Sequence, residues 1–217
     1  RQALECLEAL VHLAPEGMEH AFNRAALKGH TEVARFLMAE KPALGEDVHY
    51  GCFGPCEALE PGGVRFMLEL GADPNAVWEN GGTPLDMALC TYSHRGRHDC
   101  VEALVQGGVD YEDGPEMDLH RGRLDLLAQR LDADPSLLQR HSNFRQGKEY
   151  GGVYGGAPLI SPTLLHICAE YGEVDAAREL LGRGVEVNAR CRPDAAGVGD
   201  QTPLFHAVTS RHHRAFA

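Results

Sequence analysis

The sequence predicts an all-α solenoid in which short helix–turn–helix units stack side by side. The stretch Thr163 to Asn188 contains a helix, a glycine turn, a second helix and a glycine exit within 26 residues. Weaker copies of this pattern occur before and after it. Helices shorter than about 12 residues are marginal in water, so each unit needs neighbours like itself to bury its apolar side.

The elements of this unit follow from its residue types. Thr163 can cap a helix that begins at the next residue. Gly172 is expected to end that helix, because glycine adopts the left-handed conformation at low cost. Gly182 to Gly184 are expected to end the second helix. The residues at helical spacing that form the two apolar stripes are Leu164, Ile167, Cys168, Val174, Ala177, Leu180 and Leu181.

The opening of the unit recurs at other places in the chain. It appears as TPLDMA at 83–88 and as TPLFHA at 202–207. These motifs resemble those of the ankyrin repeat family, whose signature is T-P-L-H-x-A with a period of about 33 residues. His166 stands where the family has its signature histidine, and Asp86 and Phe205 stand there in two other copies.

The resemblance implies an L-shaped ankyrin-repeat solenoid, in which β-hairpin or extended loops and the first helices line a concave face. We expect one domain over residues 1–217, whose unit boundaries are approximate. The expected units are 1–17 (a partial unit or cap), 18–46, 47–79, 80–112, 113–160, 161–199 and 200–217 (partial).

The pattern is least regular at three places. In the third unit the first helix is expected between Cys52 and Leu59, with Pro55 in its first turn, where proline is tolerated. An insertion, Thr91 to Gly96, extends the turn of the fourth unit. Residues 139–160 form the longest connection, and connections above about 12 to 15 residues are often functional or mobile.

Composition excludes several classes of function. The net charge of −12 argues against binding nucleic acid or an anionic membrane surface, because both need clustered basic residues. No run approaches the roughly 20 apolar residues of a membrane span, so we expect no membrane insertion. The chain has seven cysteines, most of them in helical patterns, which fits free core thiols in a reducing compartment, and we expect a cytoplasmic protein.

Two groups of residues suggest metal binding or catalysis. His49, Cys52 and Cys56 lie close in sequence, but structural zinc needs four ligands and no second pair is present, so ordinary packing is favoured. His206 falls in a first helix, and the pair at 212–213 in the following turn is typical of solvated histidines.

No motif indicates an enzyme or a cofactor. The chain has no G-x-S-x-G nucleophile elbow. The glycine-rich stretch 151–156 lacks the Lys-Ser/Thr of a phosphate-binding loop, which favours an extended hairpin. We therefore expect no catalytic residue, no cofactor and no metal.

The function that this sequence favours is a non-catalytic scaffold, a monomer that binds a protein through the concave groove and hairpin loops. Aromatic and arginine side chains in loops are the candidate anchors, since such residues are enriched at interface hot spots. The candidate partner-binding residues are Trp78, Tyr111, Phe144, Tyr150, Tyr154, Arg190 and Arg192.

Two alternatives stay open. The incomplete repeats at both ends suggest a regulatory or targeting segment of a larger enzyme or receptor. The long loop at 139–160 suggests a weaker alternative, a small-molecule or metal site.

Overall fold

The structure is a computed structural model that describes residues 11, 15–79, 81–91, 95–142, 159, 161–192 and 199–209. Eleven α-helices and no β-strand occur among these residues, so the all-α prediction is confirmed. The helices are α1 (Met18–Leu27), α2 (Thr31–Glu40), α3 (Phe53–Ala58), α4 (Pro61–Glu69), α5 (Pro84–Cys90), α6 (Arg97–Gln106), α7 (Pro115–His120), α8 (Leu124–Ala133), α9 (Leu164–Tyr171), α10 (Val174–Gly182) and α11 (Pro203–Thr209). Short 3-10 helices lie at Pro15–Gly17, Pro42–Gly45 and Pro135–Leu138. In the described part of the chain, no helix is long and apolar enough to cross a membrane.

The helices form five consecutive pairs followed by α11. Within four pairs the turn contains a glycine of positive φ: Gly29 (69°), Gly96 (88°), Gly122 (67°) and Gly172 (71°). This left-handed conformation is strained for residues with a Cβ. Leu59 adopts it in the turn between α3 and α4, with φ of 53°. The predicted glycine exit at Gly172 is therefore confirmed, and the irregular third unit makes the same turn without glycine.

The third unit has its first helix where the sequence predicts it. Helix α3 spans Phe53–Ala58, and Pro55 is its third residue, so the ring occupies the first turn. The segments that follow α2 and α8 have the same backbone conformation, as their similar sequences predict. Lys41 (φ −140°, ψ 86°) and Asp134 (φ −141°, ψ 88°) each precede a 3-10 helix that begins with proline.

By its own contacts the chain divides into two compact units. The first comprises 1–88 and 99–110, and the second comprises 89–98 and 111–217. We call these two compact parts of the chain, and not single repeats, the first unit and the second unit. In the first unit, α1 and α4 approach so closely at Gly63 that only glycine fits there. A Cβ at this position would lie 2.2 Å from the carbonyl oxygen of Ala26. The core of the second unit consists of buried apolar residues from α7 to α10 and the segments that follow them.

Helix α9 begins with a capping box built around a histidine. The backbone N–H of Thr163 donates to Nδ1 of His166 at 3.2 Å, and the Thr163 hydroxyl lies 2.8 Å from the same nitrogen. Nε2 of His166 lies 3.0 Å from the carbonyl oxygen of Gln201, which can only accept. His166 is therefore the neutral Nε2–H tautomer, and burial lowers its pKa to about 4.

Helix α5 has the same box with a carboxylate in place of the imidazole. Thr83 donates to Oδ2 of Asp86 from its backbone N–H at 2.9 Å and from its hydroxyl at 2.7 Å. The N–H of Asp86 donates in return to the Thr83 hydroxyl oxygen at 3.2 Å. The signature position is thus structural in both copies.

The ends of the long connection at 139–160 are held together. The N–H of Ser142 donates to the carbonyl oxygen of Pro162 at 2.7 Å, and Nδ1 of His141 donates to that of Ser161 at 2.7 Å. Residues 143–158 and 160 lie outside the described residues. The proposed small-molecule or metal site of this loop therefore falls almost entirely outside them.

Candidate protein-interaction surface

Three aromatic side chains meet at the surface of the first unit, and we call them the aromatic cluster: Tyr50, Phe53 and Trp78. The ring centroid of Trp78 lies 5.4 Å from that of Tyr50 and 5.0 Å from that of Phe53. Phe53 is buried, whereas Tyr50 is 49 % exposed and Trp78 is 47 % exposed. Val77, beside Trp78, is 57 % exposed. The buried ring thus supports two half-exposed ones, which are fixed by ring contacts rather than free in solvent.

Backbone hydrogen bonds hold the loops that present the cluster. Around Trp78 the chain reverses, since the N–H of Trp78 donates to Gly82 and its carbonyl accepts from Gly81, both at 2.8 Å. The other loop is tied in by the N–H of Asp73, which donates to the carbonyl oxygen of His49 at 3.1 Å. The rings are therefore carried on two loops that are bonded to each other.

Asn75 fixes the same loop to the next one. Its Nδ2 donates to the carbonyl oxygen of Gly108 at 3.1 Å, and its Oδ1 accepts from the N–H of Asp110 at 2.7 Å. Its own N–H donates to Oδ1 of Asp73 at 2.8 Å. Our sequence reasoning missed this residue, although an Asn that follows Gly-Ala-Asp-Pro is a signal for such side-chain bonding.

The surroundings of the cluster are acidic. Residues 46–79 contain seven Asp or Glu and one Arg, which gives 1 − 7 = −6, half of the net charge of −12. Asp73 lies 3.9 Å from His49, whose ring lies 4.6 Å from that of Tyr50. Glu79 is exposed and directly follows Trp78. The cluster thus combines half-exposed rings with the carboxylates of Asp73 and Glu79 on the same loops.

Two family models match this chain. The model described as ankyrin repeats in many copies matches residues 48–105, which include the aromatic cluster. The model described as ankyrin repeat matches residues 163–192. The chain contains ankyrin repeats. The recognition made from the TPLDMA and TPLFHA motifs is therefore confirmed.

One solved structure is reported for its similarity alone. The crystal structure of the human ASB11 ankyrin repeat domain is similar to this chain, with a TM-score of 0.45 and 21 % sequence identity over 86 % of this chain and 76 % of that one. No curated protein matches the sequence. Ankyrin repeats are generally protein–protein interaction modules, and the family is typically non-enzymatic.

The other predicted anchors lie in the second unit. Tyr111 is partly buried and contacts Arg121, whose Nη1 donates to its hydroxyl at 3.3 Å. Arg190 is exposed but pairs with Asp200 at 2.7 Å, and Arg192 is exposed. The anchors outside the described residues are Phe144, Tyr150 and Tyr154.

The second unit contains a buried ion pair that our sequence reasoning missed. The side chain of Arg97 is 2 % exposed, forms an ion pair with Glu173 and lies 4.4 Å from the ring centroid of Tyr171. His98 donates to the same carboxylate at 2.8 Å. Burial raises the pKa of Glu173, but the bond from His98 and the charge of Arg97 outweigh it and hold the pKa below its usual value. This cluster is structural, since Glu173 opens the second helix of its repeat.

The second unit also contains a buried histidine that contacts a cysteine on one side of its ring and a glutamate on the other. Sγ of Cys191 is 4.0 Å from Nε2 of His206, and Nδ1 of His206 is 2.8 Å from Glu170. His206 is fully buried within the first helix where the sequence placed it, and the pair at 212–213 that was expected to be solvated lies outside the described residues. Burial and the charge of Glu170 raise the pKa of Cys191 to about 12, which keeps the thiol protonated. A nucleophilic cysteine needs the thiolate, so this arrangement does not provide one.

The cysteines near the aromatic cluster are also inert thiols. Cys56 is fully buried, in agreement with the ordinary packing that the sequence favours, and burial raises its pKa. Burial and the charge of Asp73 raise the pKa of Cys52 to about 12. Within the part of the chain that the structure describes, no three His, Cys, Asp or Glu side chains are placed to hold a metal ion.

Proposed function

We propose that this chain is a non-catalytic scaffold that binds a protein partner through its hairpin loops and the concave groove that the family architecture implies. The contact is centred on Tyr50, Val77 and Trp78. The observation that supports this proposal is the aromatic cluster, with two half-exposed rings held in place by a buried one.

The energetics favour this surface as the anchor. Aromatic side chains in well-packed positions contribute most of the binding energy of protein interfaces, and contacts around them contribute little. Tyr50 and Trp78 are already ordered by ring contacts at 5.4 Å, so a partner loses little side-chain entropy in ordering them. Exposed apolar area that is rigid before binding is the kind of surface that gains most from being covered.

The composition supports the remaining parts of the proposal. All described cysteines are free, which suits a reducing compartment such as the cytoplasm. A net charge of −12 opposes self-association, which suits a monomer.

Site-specific photo-crosslinking tests the proposal. The full chain is prepared with p-benzoylphenylalanine in place of Trp78 or, as a matched control, of Leu181, which is 48 % exposed in α10 of the other unit. We expect a discrete protein to crosslink from position 78 and not from position 181. That protein, once identified and purified, should bind the unmodified chain directly in calorimetry.

The same partner then tests the residues. Trp78→Ala should weaken its binding by more than about tenfold, as expected for an interface hot spot, and Leu181→Ala should leave the affinity unchanged. Equal crosslinking at both positions, or a dissociation constant that Trp78→Ala does not change, contradicts the proposal.

A further inference from the structure

We infer that the occupant of the aromatic cluster is an arginine-bearing basic segment of the partner, with the guanidinium stacked on Trp78 or Tyr50 and paired with Asp73 or Glu79. This inference rests on the proposed function and adds the chemistry of the partner. Two observations support it: arginines of this chain stack on its other aromatic rings, and the segment that carries the cluster is acidic.

The chain repeatedly places its own arginines over aromatic rings. Cζ of Arg35 lies 5.0 Å from the ring centroid of Phe66, and the same guanidinium bonds Glu69 at 2.5 Å. Arg97 makes the corresponding arrangement in the second unit, stacked over a tyrosine and paired with a glutamate. A third arginine lies 5.9 Å from the ring of Tyr111.

The aromatic cluster has two half-exposed rings and has carboxylates on its own loops, at Asp73 and Glu79. Among the residues that the structure describes, no arginine stacks on Tyr50 or Trp78. Asp73 is 41 % exposed at 3.9 Å from His49, and Glu79 is exposed beside Trp78. A guanidinium from a partner would complete the same grouping beside His49, and the exposed outer part of these rings is open to it.

The charge of the region favours a basic segment rather than a neutral apolar one. Residues 46–79 have a net charge of −6, with a single arginine among them. A positively charged partner is attracted to this surface, and a second copy of this acidic chain is repelled. Arginine suits the site better than lysine, because its planar group stacks on a ring while it donates to a carboxylate.

Intrinsic fluorescence gives a direct test, because Trp78 is the single tryptophan of the chain. The full chain at 0.15 M salt, roughly physiological, is titrated with a ten-residue Gly/Ser peptide that carries three arginines. The same peptide with lysine, or with neutral citrulline, is titrated alongside. We expect saturable quenching by the arginine peptide, affinity for the lysine peptide lower by about fivefold, and no binding of the citrulline peptide.

Variants separate the cluster from general attraction to an acidic protein. Asp73→Asn with Glu79→Gln should weaken the arginine peptide by about fivefold. Glu112→Gln removes an exposed carboxylate from the second unit and should have no effect on the titration. Each variant keeps Trp78, so its emission spectrum also reports whether the cluster is folded.

The outcomes for the two proposals are distinct. If a partner crosslinks at position 78 but the arginine, lysine and citrulline peptides bind alike, the protein-binding function stands and the arginine inference is overturned. If Glu112→Gln weakens binding as much as the double variant, the attraction is not localised at the cluster, which also overturns it. If the arginine peptide is selected at Trp78 but no partner crosslinks there, the inference on chemistry stands and the proposed function fails.

Discussion

In the repeat at 163–192, polar side chains are bonded inside the molecule, whereas the repeat at 47–79 leaves its most distinctive side chains partly in solvent. His166 bonds Thr163 on one side of its ring and Gln201 on the other. In the other repeat Tyr50 and Trp78 are each about half exposed, 49 % and 47 %. Both repeats contain the same helix pair, so the difference lies in the loops.

The difference shows how one fold divides its residues between stability and recognition. A repeat that matches the signature most closely uses its polar residues to join helices and loops. A repeat that departs from the signature keeps the helix pair but changes what its loops present. The irregular copy is therefore the better place to look for a binding surface, since a regular copy describes only the scaffold.

The largest effect that would test this comparison is the loss of the ion pair beside α10. Glu173→Ala leaves the 2 % exposed guanidinium of Arg97 without its carboxylate. We expect a loss of about 3 kcal/mol in the free energy of unfolding, because an uncompensated buried charge is costly. Urea denaturation followed by circular dichroism measures it.

A double variant provides the control for this prediction. Replacing Arg97 by Met together with Glu173→Ala removes both charges and keeps an unbranched side chain over Tyr171. We expect it to recover to within about 1 kcal/mol of the original protein. If the single and double variants are equally unstable, the cost comes from lost packing, and the view of this repeat as internally bonded is wrong.

The second prediction concerns the pH dependence of the regular repeat. Burial lowers the pKa of His166 to about 4 in the folded chain, against 6.5 for an ordinary histidine. Between pH 6.5 and pH 4 the unfolded chain therefore binds a proton that the folded chain does not. Stability contributed by this residue is present above pH 6.5 and is lost as the pH falls through this window.

The expected loss from His166 alone is on the order of 2 kcal/mol. Urea midpoints measured across this pH range should fall more steeply for the original chain than for His166→Asn, whose amide oxygen can accept from Thr163 without titrating. Parallel pH profiles for the two proteins would mean that the imidazole is not held neutral. Asp86 occupies the same position in α5, so the capping box of that helix contributes no loss of stability from histidine protonation.

The scaffold was predictable because it is local. The spacing of apolar residues, the cap at Thr163 and the glycine at 172 determine short helices and turns from neighbouring residues alone. The position of α3 around Pro55 followed for the same reason, since proline restricts where a helix can begin.

The contacts between distant segments were not predictable. Trp78 was a candidate anchor from its residue type, but its packing on Tyr50 and Phe53 depends on two loops meeting in space. Arg97 lies 76 positions from Glu173, and no local pattern joins them. The bond between His206 and Glu170 had no local signal either, because Glu170 belongs to the preceding repeat.

The smallest expected effect concerns the acidic residues of the irregular repeat. Glu79→Gln removes one exposed carboxylate from a segment of net charge −6. Exposed charges contribute little to folding, so the free energy of unfolding should change by less than about 0.5 kcal/mol. Any change should be a gain, because neutralisation relieves repulsion among carboxylates. A clear loss on urea denaturation would show that Glu79 stabilises its own repeat, and the contrast with Glu173 would then disappear. An unchanged or higher stability would mean that folding does not require this charge, which is the condition for a carboxylate to be available to a partner.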